Sequence, residues 1–322
     1  MRVVRCVMAD SDASALRSNT RLALTPLKLP IAIGAVWIFW GSTYAGMRMA
    51  DETIPPLTMV CIRFLIAGAV LWIACDATGQ PRPRRKDWTA AVVSGAMLLM
   101  LGNGTTAWAL RFIPTGITSL LLSLTPVWMA LFDFLLYGSR ISRMAMVGIA
   151  LGFGGIALLV APSLLQRGGI GSLPILWLCL AVLSNISWSV GSILQRRLGG
   201  AASLVRATAM QMLVGGLLVG VESLLFGQLQ HTHWAAISLR SIFGLAWLIV
   251  FGSFVGYLAF LYVIRNAPTA LASTYSYVNP LVAIALGIAI FHERLTINEI
   301  VAGAFILAGV ALMMVPRQRA AT

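Results

Sequence analysis

The 322-residue chain is 59% hydrophobic and only 10% charged, with a formal net charge of +13 and a mean hydropathy of +0.89. An ordinary soluble domain carries about 25% charged residues, so this balance excludes a soluble globular protein and points to an integral membrane protein. The positive excess does not imply nucleic acid, because Lys and Arg stand in short stretches between apolar runs and build no contiguous basic surface.

Residues 1–29 differ from the rest. Arg2, Arg5, Arg17, Arg21 and Lys28 are mixed with Asp10, Asp12 and several Ser, without the uninterrupted apolar core of a cleaved signal peptide. The segment reads as a mobile cytoplasmic tail. Apolar runs of spanning length follow at about 30–49, 57–75, 89–110, 114–137, 144–162, 174–195, 204–226, 241–264, 269–291 and 297–315, ten in all. Only Arg111-Phe112-Ile113-Pro114 separates the third run from the fourth. With the N-terminus inside, seventeen Lys and Arg fall in the tails and inner segments, against four outside: Arg111, Arg167, Arg240 and Arg294. The positive-inside rule therefore predicts that both termini, including the short tail 317–322, are cytoplasmic.

The chain also repeats itself. Between Gly102–Pro162 and Gly256–Pro316 an offset of 154 needs no gap, and it pairs Pro114 with Pro268, Pro126 with Pro280 and Pro162 with Pro316. An offset of 148 pairs Trp40 with Trp188, Arg48 with Arg196, Leu65 with Leu213 and Gly68 with Gly216. Two repeats result, 30–162 and 174–316, each with five spans. An odd number of spans makes the second copy enter from the opposite side, and inverted repeats are a transporter arrangement, with substrate bound near the midplane where the repeats meet. The predicted fold is all-α and integral to the membrane, with ten transmembrane helices in two inverted five-helix repeats.

Trp40-Gly41-Ser42-Thr43-Tyr44, Arg63, Gly102-Asn103-Gly104, Ser187-Trp188-Ser189, the Pro126/Pro280 pair and His292-Glu293-Arg294-Leu295 followed by Gly303 and Gly309 resemble the EamA-type branch of the drug/metabolite transporter superfamily. The resemblance covers about 30–316. It implies a ten-helix basket-shaped carrier of the bacterial inner membrane, usually exporting amino acids, metabolites or drugs; the residues at midplane depth hold no His/Asp/Glu constellation, so neither enzymatic activity nor a cofactor is expected. One departure from the family pattern is that Ser139-Arg140 stands where the second copy has Glu293-Arg294.

Span midpoints place Trp40, Asn185, Pro126 and Pro280 near the bilayer centre, with Asn103 and Tyr257 within about one turn. A proline inside a spanning helix frees a backbone carbonyl that a neighbour or a cavity must satisfy. Pro126 and Pro280 are accordingly helix kinks, with Thr125 and Asn279 beside them. Asn103, Asn185 and Asn279 read equally well as interhelical hydrogen-bonding groups and as substrate contacts. Trp40, Tyr44, Trp108, Trp128, Trp188, Tyr257, Tyr275 and Tyr277 serve either helix packing or an aromatic-lined pocket for amphipathic solutes. Trp88, Trp177 and Trp234 fall at interfaces, as belt residues do.

Charge within the spans is sparse. Asp133, Glu222 and Arg63 each lie close enough to a boundary for solvation, Arg63 roughly 9 Å inside it and within snorkelling reach. Asp133 is the candidate for proton coupling. Glu299 fits a capping box with Thr296 at the start of the last span. Gly148-x-x-x-Gly152 with Gly154-Gly155 is a packing seam, read as intramolecular in preference to a homodimer contact. Cys6, Cys61, Cys75 and Cys179 have no paired spacing, and His231 and His233 lack further ligands, so no metal site is expected. Without a phosphate loop, direct ATP drive is not expected either. The partners that remain are a small-molecule solute and membrane lipids. A lipid-linked or nucleotide-linked sugar carrier is the alternative within transport, and a membrane-embedded enzyme the alternative outside it.

Overall fold

The computed structural model describes residues 25–138, 143–165, 175–198, 203–266 and 274–314, and every regular element among them is a helix. Ser139-Arg140, Arg167, the Pro268–Ser273 stretch, residues 1–24 of the N-terminal tail and the tail 317–322 lie outside the described residues, whereas residues 25–29 already belong to the first helix. Seven helical stretches are long and apolar enough to cross a membrane: Lys28–Ala50, Pro56–Ala77, Arg85–Ala109, Thr115–Tyr137, Ile175–Gln195, Val205–Leu225 and Leu239–Phe260. Shorter apolar helices, Arg143–Leu158, Tyr275–Phe291 and Ile297–Leu312, fall on the other three predicted runs.

Helix boundaries follow local chemistry. Pro56 sits at the first helical positions of its helix, where its missing N–H costs nothing. Ser203 accepts from Arg206 N and Ser238 from Ser241 N, each satisfying an orphan first-turn donor. The predicted capping box forms: Thr296 N donates to Glu299 Oε2 at 2.7 Å, and Glu299 N donates to Thr296 Oγ1 at 3.3 Å. Gly138 ends its helix at φ 67°, a left-handed conformation that a glycine adopts without strain.

Several spans are interrupted. The first consists of α1 (Thr25–Gly41) and α2 (Thr43–Ala50), broken at Ser42. The second is the continuous α3 (Pro56–Ala77). The third starts as α4 (Arg85–Ser94), widens into a π-helical segment over Gly95–Gly104 and ends as α5 (Thr105–Ala109). The fourth consists of α6 (Thr115–Leu122) and α7 (Thr125–Tyr137), and α8 (Arg143–Leu165) follows. Next come α9 (Ile175–Leu198) and α10 (Leu204–Leu225). The eighth run is α11 (Leu239–Trp247), a second π segment over Leu248–Val255, and α12 (Gly256–Asn266). The chain closes with α13 (Tyr275–Phe291), which holds Pro280 inside it, and α14 (Ile297–Met314).

Two helix pairs pack most extensively, α3 with α10 and α8 with α14. Lipid tails are as apolar as leucine, so such pairs depend on close backbone approach at small residues. A Cβ at Gly68 would stand 2.8 Å from Leu213 N, and one at Gly216 would stand 3.0 Å from Leu65 N. In the other pair a Cβ at Gly155 would meet Ala302 O at 2.9 Å, and one at Gly309 would meet Gly148 O at 2.6 Å. Both contacts are reciprocal, and the glycine seam of α8 is occupied within the chain. Three buried clusters surround the centre: Phe64, Leu99 and Met212 in one, Leu121, Val127 and Ile306 in another, Val36 and Val263 in the third.

Candidate functional site

The interruptions converge. Between the clusters lies a cavity whose empty space is about 850 Å³, including the part open to solvent. Its walls come from Trp40, Thr43 and Tyr44 around the Ser42 break, Asn103 at the end of the first π segment and Tyr257 just past the second. Further wall residues include Ser123 and Thr125 at the α6/α7 break, Asn185 and Trp188 on α9, and Tyr275, Asn279 and Pro280 on α13.

Each kink is held by a side chain from another span. Pro126 cannot donate to Leu122 O, and Thr125 Oγ1 donates to that carbonyl at 2.7 Å instead. Asn185 takes up the rest: its Oδ1 accepts from Thr125 Oγ1 at 2.7 Å, and its Nδ2 donates to Leu121 O at 2.8 Å. At the second kink Trp37 Nε1 donates to Thr274 Oγ1 at 3.0 Å. Oriented with its NH2 toward them, the Asn279 amide donates to Trp37 O and Tyr275 O, both at 3.2 Å. Asn185 and Asn279 are thus engaged in holding the backbone. Asn103 is half-buried in the cavity wall and makes no hydrogen bond among the described residues, which leaves its amide available.

The π segments bring backbone and ring together. A Cβ at Gly256 would stand 2.5 Å from Trp40 Nε1, and one at Gly102 would stand 3.2 Å from Trp188 Cε3. At Gly256 a side chain would displace the Trp40 ring, whereas at Gly102 the Trp188 ring would have to yield by a few tenths of an ångström. A π turn also leaves carbonyls without a regular helical donor. Trp40 Nε1 donates to Gly252 O at 3.3 Å, and Ser187 Oγ donates to Met97 O at 2.8 Å. Trp40 further contacts Tyr257 and Tyr275 edge-on, with ring centroids 5.5 and 5.3 Å apart, and Phe260 at 4.8 Å.

The remaining predicted residues lie elsewhere. Trp128 is buried in the α6/α7/α14 cluster, its ring perpendicular to Phe153 at 5.2 Å. Tyr277 packs against the same cluster. Pro126 shapes the break from outside the cavity wall, and Asp133 is half-buried on α7, also away from it. Arg63 departs from expectation. It does not snorkel: it is 3% exposed and lies in the cavity wall, because its side chain turns toward the second π segment. Glu222 likewise has a buried Oε2, facing Gly104 and without a partner.

At the end of the bundle that the charge bias assigns to the outside, Glu293 joins three elements. Its Oε1 pairs with Arg48 at 3.1 Å and accepts from Thr115 N at 2.9 Å, while its Oε2 accepts from Thr115 Oγ1 at 2.8 Å. The carboxylate thereby caps the N-terminus of α6, where orphan N–H groups and the helix dipole favour negative charge. Arg240 pairs with Glu52 at 3.2 Å nearby, and Arg111 with Asp51 at 3.7 Å. Burial pushes the Asp51 carboxyl up to about 7, with Arg111 and then Arg48 acting in the opposite sense.

A cavity at the centre of a bundle of broken apolar helices is a transport architecture. The EamA-like transporter family model matches residues 29–161 and again 175–315. The chain belongs to the EamA-like transporter family. It is a membrane transporter, multi-pass in the inner membrane. The transporter is 33% identical over 283 residues to the uncharacterized inner membrane transporter YedA of Escherichia coli K12, covering 88% of this chain and 89% of that one. It is also 25% identical over 277 residues to the uncharacterized transporter YvbV of Bacillus subtilis, covering 86% of each. A WAT1-related chloroplastic protein of Arabidopsis thaliana is 23% identical, covering 87% of this chain and 68% of that one. One solved crystal structure superposes with a TM-score of 0.60 at 20% identity over 88% of the transporter and 95% of its own chain, a likeness of fold.

The two π segments were not visible in the sequence, since a π turn keeps the apolar composition of the α turns around it. The nearest signal was the equivalent pair Gly102 and Gly256, each followed by a polar residue. Phe64 also lines the cavity, without having been singled out by its position in the sequence, whereas Trp108 packs against Trp177 and Phe226 instead.

Proposed function

We propose that the transporter exports small amphipathic organic solutes, such as amino acids or drugs, by alternating access between two inverted five-helix repeats, 30–162 and 174–316. The observation that carries this reading is a central cavity walled by broken helices from both halves, with aromatic rings and hydroxyls in its lining. Two matches to one family model and the reciprocal glycine contacts of α3 with α10 and α8 with α14 support the duplication. Ten spans with both termini in the cytoplasm complete the topology, the three shorter helices crossing with the seven long ones. A monomer suffices, because the α8 seam is filled by α14. A lipid-linked or nucleotide-linked sugar carrier is less well supported, since Arg63 is the only charged side chain in the wall among the described residues.

Release of radiolabelled solutes from proteoliposomes tests the reading. Net transfer of an unmodified solute is the expected result. Product formation without transfer overturns it. Asp133 keeps its place as the coupling candidate, and an unchanged pH dependence of flux in Asp133→Asn removes it.

A further inference from the structure

Among the described residues the cavity wall has 21 residues, and Arg63 alone of these is charged. Its guanidinium lies over the Phe64 ring, 4.9 Å from the centroid, and Nε donates to Ser253 Oγ at 3.0 Å. Space for it is made by the second π segment, where a Cβ at Gly252 would stand 2.9 Å from Arg63 NH2. NH1 is buried without a hydrogen-bond partner. Among the described residues no carboxylate comes within 4.0 Å of Arg63, although Arg48, Arg111, Arg206 and Arg240 are each paired with one.

A buried, unpaired cation in a spanning helix is costly to keep. A hydrophobic residue of similar volume fills such a place without that penalty, so packing alone does not account for an arginine with an idle nitrogen. The charge makes the cavity favourable to an anion, and the planar guanidinium suits the two oxygens of a carboxylate. One fixed cation among neutral hydroxyls and rings matches a single negative charge, whereas a phosphate dianion would leave a charge uncompensated.

We infer that Arg63 is the anchor for a carboxylate on the transported solute, whose apolar body lies against the rings around Trp40. This makes the substrate class a small monocarboxylate-bearing amphipath, and it rests on the carrier reading above. Ser253 and Gly252 are positioning residues: the first orients the guanidinium and the second makes room for it.

Titration calorimetry on the purified full chain tests the inference with four probes. L-phenylalanine and 3-phenylpropionate carry a carboxylate; L-phenylalaninamide and phenethylamine do not. The expected result is binding of the first two roughly 30-fold more tightly than the others. The preference falls to about one in Arg63→Gln and is partly kept in Arg63→Lys. Wild-type protein that binds the four alike overturns the inference, even if no Arg63 variant folds. So does a preference that persists in Arg63→Gln, or no binding of any probe. Release of a mixed solute pool from proteoliposomes, run in parallel, separates the two levels. Transfer of solutes without carboxylate preference leaves the carrier and removes the anchor, while no transfer at all removes both.

Discussion

Trp40 and Trp128 are both deep tryptophans on apolar helices, and depth alone assigns them the same role. Their surroundings separate them, because Trp40 faces the cavity while Trp128 is enclosed by Phe132 and Phe153. Trp40→Ala should lower flux about tenfold or more while the protein stays monodisperse, since the ring is a wall. Trp128→Ala should instead destabilise the fold by roughly 3–5 kcal/mol, the usual range for emptying a packed aromatic site, read as a lower unfolding temperature in detergent. Asp51 offers a test by pH. Its folded-state value is raised to about 7 from 3.8, so between these the folded protein holds more protons than the unfolded one. Stability is therefore expected to fall as pH rises from about 4 to about 7, and Asp51→Asn should flatten that part of the profile. An unchanged slope in the variant would remove Asp51 as its source.

At the scale of the helices, hydropathy and charge made much of the architecture legible before any coordinates. Each predicted run holds a helix, and the Thr296–Glu299 capping box stands where its residue types placed it. Azimuth was not legible. A helix that is apolar all round carries no moment to say which side faces a cavity, so Tyr277 and Trp128 could not be told from Tyr257 and Trp188. The inward turn of Arg63 is hidden for the same reason, since its position in the sequence gives depth along the helix but not the direction of the side chain. Packing of α8 on α14 supplies a sharp test of the glycine argument. A Cβ at Gly155 would lie 2.6 Å from Ile306 Cγ1, whereas Gly154 has nothing within 4 Å. Gly155→Ala should cost about 1–3 kcal/mol through overpacking. Gly154→Ala should be neutral or slightly stabilising, because Ala is the better helix former by ~0.5–1 kcal/mol. Thermal unfolding of the two variants compares them directly.

For the whole molecule, the alternating-access mechanism proposed above assigns the central cavity and the ion pairs at one end to one of its two states. Glu293 ties α2, α6 and the end of α13 together, and Arg240–Glu52 joins the two halves at the same end. The first half has Ser139 where the second has Glu293, so this carboxylate clamp has no counterpart of the same chemistry in the sequence. Glu293→Gln removes the ion pair while keeping an acceptor for Thr115, and it should shift the population toward a state open at that end. The most direct test of alternating access places one thiol in the cavity. Asn103→Cys, in a background with Cys6, Cys61, Cys75 and Cys179 replaced, is challenged with a membrane-impermeant thiol reagent from each face of sealed vesicles. Labelling from both faces, with the outer rate increased by Glu293→Gln, is the predicted result. Labelling from one face only, unchanged by Glu293→Gln, would contradict the account.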